Sequence, residues 1–223
     1  MEEDNTSPQM TVIENTTVME MKTETSLSPV VPAIMFSAGA IGNLIALFVL
    51  FTSKKESRRT LFYRLVGLLA FVDLLGTIAT SPVTFIQYAY FPKWYGGQAL
   101  CSYFSFMLIF FGLATMFIVA VMALDRFVAL LHPYFYAGFV SRKRGIYTLF
   151  VLFAFSIIIA ILPLTGVNKN VRHHPGTWCF FDFRSEDLAG KSFAYIYSLT
   201  GIIIIVLITV SNVAVILTLI QMR

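Results

Sequence analysis

The chain has 223 residues, of which 57% are apolar and 13% charged, and its formal net charge is +4. A soluble domain carries about 25% charged residues, so this deficit, with a mean hydropathy of +0.78, excludes an ordinary water-soluble fold and points to a membrane protein. The basic balance is not a nucleic-acid signal, because the charges form no single patch and instead alternate from connector to connector; no nucleic-acid partner is expected.

Residues 1–28 form a polar tail with six acids (Glu2, Glu3, Asp4, Glu14, Glu20, Glu24) and one base, Lys22. No basic stretch leads into an apolar one, so a cleaved signal peptide is not expected. Asn5-Thr6-Ser7 and Asn15-Thr16-Thr17 fit the N-glycosylation pattern. Such triplets also arise by chance, and they gain meaning only if the tail lies outside the cell.

Residues 29–223 hold five apolar stretches. A helix needs roughly 20 apolar residues to cross about 30 Å of hydrocarbon. The spans are predicted at Val30–Thr52, Leu61–Tyr88, Leu100–Leu131, Gly145–Leu164 and Phe193–Met222. Backbone groups in lipid must be satisfied internally, so these are helices. Pro82 and Pro163 fall near predicted span ends, where a kink costs least.

The first connector holds Lys54, Lys55, Arg58 and Arg59, and the third holds Arg142, Lys143 and Arg144. Arg223 follows the fifth span. The second connector has only Lys93, and the bases of the fourth are offset by Asp182, Glu186 and Asp187. Basic loops stay in the cytoplasm, so the N-terminus is predicted outside and the chain's last residue inside. That topology puts Asn5 and Asn15 in the secretory lumen.

It also puts both cysteines there. Cys101 opens the third span and Cys179 lies in "HHPGTWCFFDF", the second outer loop. Two thiols on the oxidising side, in segments meeting at one face, are expected to form a disulfide that ties the loop over the bundle. The alternative is two free cysteines buried as small apolar residues.

Ionisable groups inside lipid are costly and usually functional. Asp73, in "LLAFVDLLG", sits in mid-span and must face the interior. Asn43, at similar depth in the first span, is the expected hydrogen-bond partner. Asp73 reads either as an ion site or as a polar clamp between helices. At the inner end of the third span, Asp125 and Arg126 are adjacent and so do not share a helix face, but both can snorkel to the boundary and pair.

The outer cysteine followed 24 residues later by "DRF", with "GN" in the first span, "LLAFVD" in the second and Trp-Cys in the second outer loop, resembles the rhodopsin family of G-protein-coupled receptors. The resemblance covers everything after the tail. It implies a seven-transmembrane, all-α membrane receptor of which this chain carries the first five helices. It implies a sodium and hydrogen-bond role for Asp73 with Asn43, a lock between Asp125 and Arg126, and a heterotrimeric G protein that later meets Arg126. The motif's usual tyrosine is Phe127 here.

Aminergic receptors of the family carry an aspartate seven residues after the cysteine, and that position is Leu108. From Tyr103 to Leu124 there is no charge, and a buried cationic ligand without a counter-ion is prohibitive. Phe104, Phe106, Met107, Phe110 and Phe111 suit a greasy ligand, and equally a lipid-facing surface.

"PGTWCF", "SPVTFIQY", "HPYFY" and "AILPLTGV" are similar to signatures of the prostanoid receptor subfamily. The missing tryptophan of the fourth span and missing proline of the fifth fit the same subfamily. "FYRLVGLLAFVDLLGTIATSPVT", "GGQALC" and "YFYAGFV" look most like prostaglandin E receptors of subtype four. The resemblance implies a plasma-membrane receptor for a lipid acid of the prostaglandin E type, coupled to Gs with a rise in cyclic AMP. Thr84, Tyr88 and Thr177 match hydrogen-bonding positions, and Trp178 with Phe180 would roof the pocket. Thr84 reads alternatively as a packing hydroxyl bonded to its own backbone. Arg172, His173 and His174 read as anion attractors or as solvated loop bases. Because the chain stops just inside the fifth span, the alternative function is a non-signalling form that associates with intact receptors. Membrane lipid surrounds it in either case. No cofactor, metal or enzymatic activity is expected, since HExxH, P-loop and intramembrane carboxylate–histidine clusters are absent.

Overall fold

A computed structural model describes residues 28–53 and 60–222. Long helices α1 (Val30–Thr52), α2 (Leu61–Ala89), α3 (Gly97–Leu131), α5 (Arg142–Ile161) and α6 (Leu188–Gln221) form a bundle, with a short α4 (Pro133–Phe139) after α3. All five long helices have the length and apolar character to cross a membrane, the fourth together with the 3-10 turn that follows it. Between α5 and α6 lie that turn, Leu162–Thr165, and an antiparallel hairpin of β1 (Asn170–His173) and β2 (Trp178–Phe181). Asn5, Asn15, Lys54, Lys55, Arg58, Arg59 and Arg223 lie outside the described residues.

Helix α1 has the bounds predicted for the first span, and the other long helices begin or end at different residues from their predicted spans. α3 starts at Gly97, where Gly96 (φ 89°) makes the left-handed turn into the helix. α5 starts at Arg142 rather than Gly145, because Ser141 caps it by accepting the Arg144 N–H. It ends at Ile161 rather than Leu164: Pro163 donates no N–H, and the chain tightens into the 3-10 turn. α6 starts at Leu188 rather than Phe193 and stops at Gln221 rather than Met222, and α2 runs one residue past Tyr88. Hydropathy marks the hydrocarbon stretch, whereas a helix continues into the polar boundary wherever capping allows. Pro82 lies inside α2, and the helix continues through it.

α3 is the central helix, packed against α2, α5, α6 and both strands, while α1 rests on α2. Leu65 and Val72 of α2 meet Ala114 and Ile118 of α3 and Leu149 of α5 in one buried cluster. Ile109 and Leu113 meet Ile159, Ala160, Phe181 and Phe193 in a second. A third, at the disulfide end of the bundle, joins Val83, Cys101, Phe104 and Cys179. Without water between helices, close packing carries the association. At Gly145 the approach is so close that a Cβ would lie 2.8 Å from the Leu61 methyls, which pins the first turn of α2 to α5.

Candidate functional site

An open cavity of about 600 Å³ lies between α1, α2 and α3. Its α2 wall carries a row of hydroxyls at helical spacing. Thr77 donates to the Asp73 carbonyl (2.7 Å), Thr80 to the Gly76 carbonyl (2.8 Å) and Thr84 to the Thr80 carbonyl (3.3 Å). The last exceeds the usual O–H···O range of about 2.5–3.0 Å, so Thr84 is the hydroxyl most readily released to another acceptor. Met107, Leu108 and Phe111 make the opposite, apolar wall. Tyr88 is half-buried one turn beyond Thr84 and lies outside the lining.

Asp73 and Asn43 both line the inner end. The expected bond between them is replaced by one from α3: Thr115 donates to Asp73 Oδ1 at 2.7 Å. A short threonine side chain reaches only a helix in direct contact, and α2 lies along α3. Thr115 was missed because a threonine in an apolar helix normally bonds its own backbone.

The disulfide between Cys101 and Cys179 is formed, with the Cα atoms 5.2 Å apart. It is reinforced by polar contacts that the sequence reading missed. Buried Asn170 accepts the Ser105 hydroxyl on Oδ1 at 2.7 Å, and its carbonyl accepts Gln98 Nε2 at 2.9 Å. Asn168 bridges the Asp182 and Gly190 carbonyls, at 3.1 and 3.0 Å, tying the hairpin to the start of α6. Near the C-terminal end of α2, buried Gln87 holds both the N–H and the carbonyl of Tyr95. Polar side chains in otherwise apolar text ("VNKNV", "FSFM") are the signal that marks these positions.

The hairpin residues do not line this cavity. Thr177 is buried at its turn, and Trp178 stacks on His173 (4.8 Å between centroids) while its indole N–H donates to the His174 carbonyl at 3.0 Å. Neither lines the cavity, nor does Phe180. Phe181 is fully buried, with its ring 5.0 Å from both Phe193 and Tyr197, and Phe180 packs beside it. The loop's aromatic surface is therefore a wedge between α3, α5 and α6. Leu108 is the link between the regions: it lines the cavity and packs on the cluster of Val83, Cys101, Phe104 and Cys179, as Trp178 does.

At the end of α3 away from the disulfide, Arg126 Nη2 lies 2.8 Å from Asp125 Oδ2; the carboxylate side chain is 2% exposed and the arginine 46%. The other oxygen, Oδ1, accepts the Tyr136 hydroxyl of α4 at 3.0 Å. Burial, then this hydrogen bond and the Asp125 charge, hold the Tyr136 phenol above its ordinary value against the opposing Arg126. It is thus a neutral donor at physiological pH. Arg126 also lies over the ring of Phe62, 4.1 Å from its centroid. Among the described residues no group of three or more His, Cys, Asp or Glu could hold a metal ion.

A multi-helix membrane bundle with a hairpin stapled to its central helix and an Asp–Arg pair at the opposite end defines a receptor-type fold. The sequence profile of the family described as "7 transmembrane receptor (rhodopsin family)" matches residues 42–223. The chain belongs to the rhodopsin family of seven-transmembrane receptors. It is 44% identical over 172 residues to the prostaglandin E2 receptor EP4 subtype of Rattus norvegicus, covering 77% of this chain and 35% of that one. The Homo sapiens EP4 subtype is 41% identical, covering 77% of this chain and 35% of its own length. The Homo sapiens EP2 subtype is 38% identical over 214 residues, covering 88% of this chain and 57% of its own. The chain thus spans about a third of the length of the EP4 relatives. Squid rhodopsin shares the fold, with a TM-score of 0.73 at 22% identity, over 86% of this chain and 52% of that one. The relatives are receptors, not enzymes, and the protein is a multi-pass membrane protein.

Proposed function

We propose that the chain is the ligand-binding part of a prostanoid receptor that takes a lipid acid of the prostaglandin E type in the cavity between α1, α2 and α3. The observation that carries this reading is the asymmetry of that cavity: four hydroxyls along α2, mostly hydrocarbon on α3 apart from Thr115, and a single acid, Asp73, bonded to that threonine. Like charges repel, so the ligand carboxylate points away from Asp73, toward Thr84 and Tyr88. A hydroxyl aimed at a carboxylate makes a charge-assisted bond, roughly twice as strong as a neutral one. The apolar tail lies on Met107, Leu108 and Phe111. The volume falls in the usual ligand-pocket range of about 300–1,000 Å³. Trp178 acts at one remove, by packing on the cluster that holds Leu108 and Val83, and Thr177 stands beside it at the hairpin turn.

The N-terminus is outside and carries glycans on Asn5 and Asn15. Asp73, with Thr115 and Asn43 nearby, serves as the polar core and sodium site. At the cytoplasmic end, Asp125 and Arg126 form the lock that a heterotrimeric G protein, Gs, reads, raising cyclic AMP. Ligand shifts the equilibrium between locked and open bundles. The test is a cyclic AMP assay on plasma-membrane receptor carrying this chain. Prostaglandin E2 is expected to raise cyclic AMP and its methyl ester to do so far more weakly. Equal responses to acid and ester, or none with surface expression verified, contradict the reading.

A further inference from the structure

Arg126 is held from two sides, and only one of them is the neighbouring carboxylate. Its Nη2 meets Asp125 at 2.8 Å, and its guanidinium lies over Phe62 with Cζ 4.1 Å from the ring centroid. That is well inside the roughly 6 Å reach of a cation–π contact. Side chains adjacent in sequence leave a helix in different directions, so the carboxylate alone does not fix where the long arginine stem lies. The ring of Phe62, reaching across from α2, does.

Phe62 is itself poorly placed to move. Leu61, its neighbour, abuts Gly145 so tightly that a Cβ there would overlap it, which pins the first turn of α2 to α5. The carboxylate cannot swing to follow the arginine either, because Tyr136 of α4 holds its second oxygen at 3.0 Å. The guanidinium thus has two contacts, the Phe62 ring and the Asp125 carboxylate, and each of these is itself backed by another element: α5 behind α2, and Tyr136 of α4 behind Asp125.

We propose that Phe62 is a positioning residue for Arg126, holding the guanidinium on the inner end of α2 and away from whatever docks on the cytoplasmic face. Losing the ring face frees Arg126 for carboxylate or carbonyl groups of a partner. The consequence for signalling rests on the receptor reading above, whereas the placement of Arg126 does not, so the test reads the placement.

The chain is reconstituted in lipid nanodiscs and treated with phenylglyoxal. The adduct at Arg126 is followed by peptide mass spectrometry, with Arg172 on the hairpin as internal reference. Phe62→Leu keeps apolar bulk but removes the π face, and is expected to speed modification of Arg126 about five-fold with Arg172 unchanged. Phe62→Tyr keeps the ring and is expected to react like the parent. An unchanged Arg126 rate in Phe62→Leu, or equal acceleration by leucine and tyrosine, overturns the proposal. A chain that failed to bind prostaglandin would remove the proposed ligand and leave this labelling ratio standing.

Discussion

Thr115 of α3 donates its only hydroxyl hydrogen to Asp73 of α2 across 2.7 Å. The bond joins the two helices that wall the cavity, and at the depth where a carboxylate is most expensive to leave alone. The inner end of the candidate site is therefore built by α2 and α3 together, with Asn43 of α1 nearby but not bonded to Asp73.

Replacing Thr115 by valine keeps the shape and removes the donor. Hydrogen bonds to charged groups contribute about 1.5–3 kcal/mol, so Thr115→Val is expected to lower the free energy of unfolding in detergent by that order, with Thr115→Ser close to the parent. Equal loss in both variants would assign the effect to packing.

The hairpin's aromatics differ in what they hold. Phe181 is fully buried, whereas Trp178 is half-exposed. Phe181→Ala is expected to cost about 3–5 kcal/mol and Trp178→Ala clearly less, measured as thermal midpoints of the two purified variants. The reverse order would mean that Trp178, not Phe181, is the wedge.

Ser105 and Asn170 form a buried side-chain pair at 2.7 Å beneath the hairpin. Ser105→Ala leaves the asparagine oxygen without that donor, which costs about 1–3 kcal/mol. Amide hydrogen exchange is expected to accelerate across residues 170–181 and not in α1. Uniform acceleration along the chain would contradict a local anchor.

Tyr136 bonds Asp125 as a donor only while its phenol is protonated. Its folded pKa is raised above the ordinary 10.0, by burial first and then by Asp125. In the unfolded chain the phenol therefore ionises first. Its contribution is whole below about pH 10 and is lost as pH rises through the folded value. The stability gap between the parent and Tyr136→Phe is expected to stay constant from about pH 7 to 9 and to close at higher pH. A gap that widened above about pH 10 would reverse the sign and exclude the bond.

The five membrane helices were legible because hydrocarbon thickness dictates the length of an apolar run, and α1 fell where predicted. Their ends were less legible: Ser141 and Gly96 extend α5 and α3 by local capping and turn geometry, which hydropathy does not register. "HHPGTWCFFDF" read as a loop because a four-residue strand is too short to show alternation. Its packing direction, toward Phe193 and Tyr197 rather than over the cavity, depends on α6 and cannot be read from the loop alone. Cys101 and Cys179 were pairable from topology. Thr115 and Phe62 were not, since each matters only through a residue distant in sequence, and Tyr136 was not, since it reaches Asp125 only because α4 folds back beside α3.

Where the ligand sits is the central claim, and photoaffinity labelling measures it most directly. A tritiated prostaglandin E analogue with a diazirine on its apolar tail would be cross-linked to the receptor and the labelled peptide sequenced. The account predicts adducts on the stretch Met107–Thr115 of α3, competed by unlabelled prostaglandin E2. Competed adducts confined to Phe193 and Tyr197, on the far side of α3, would contradict it.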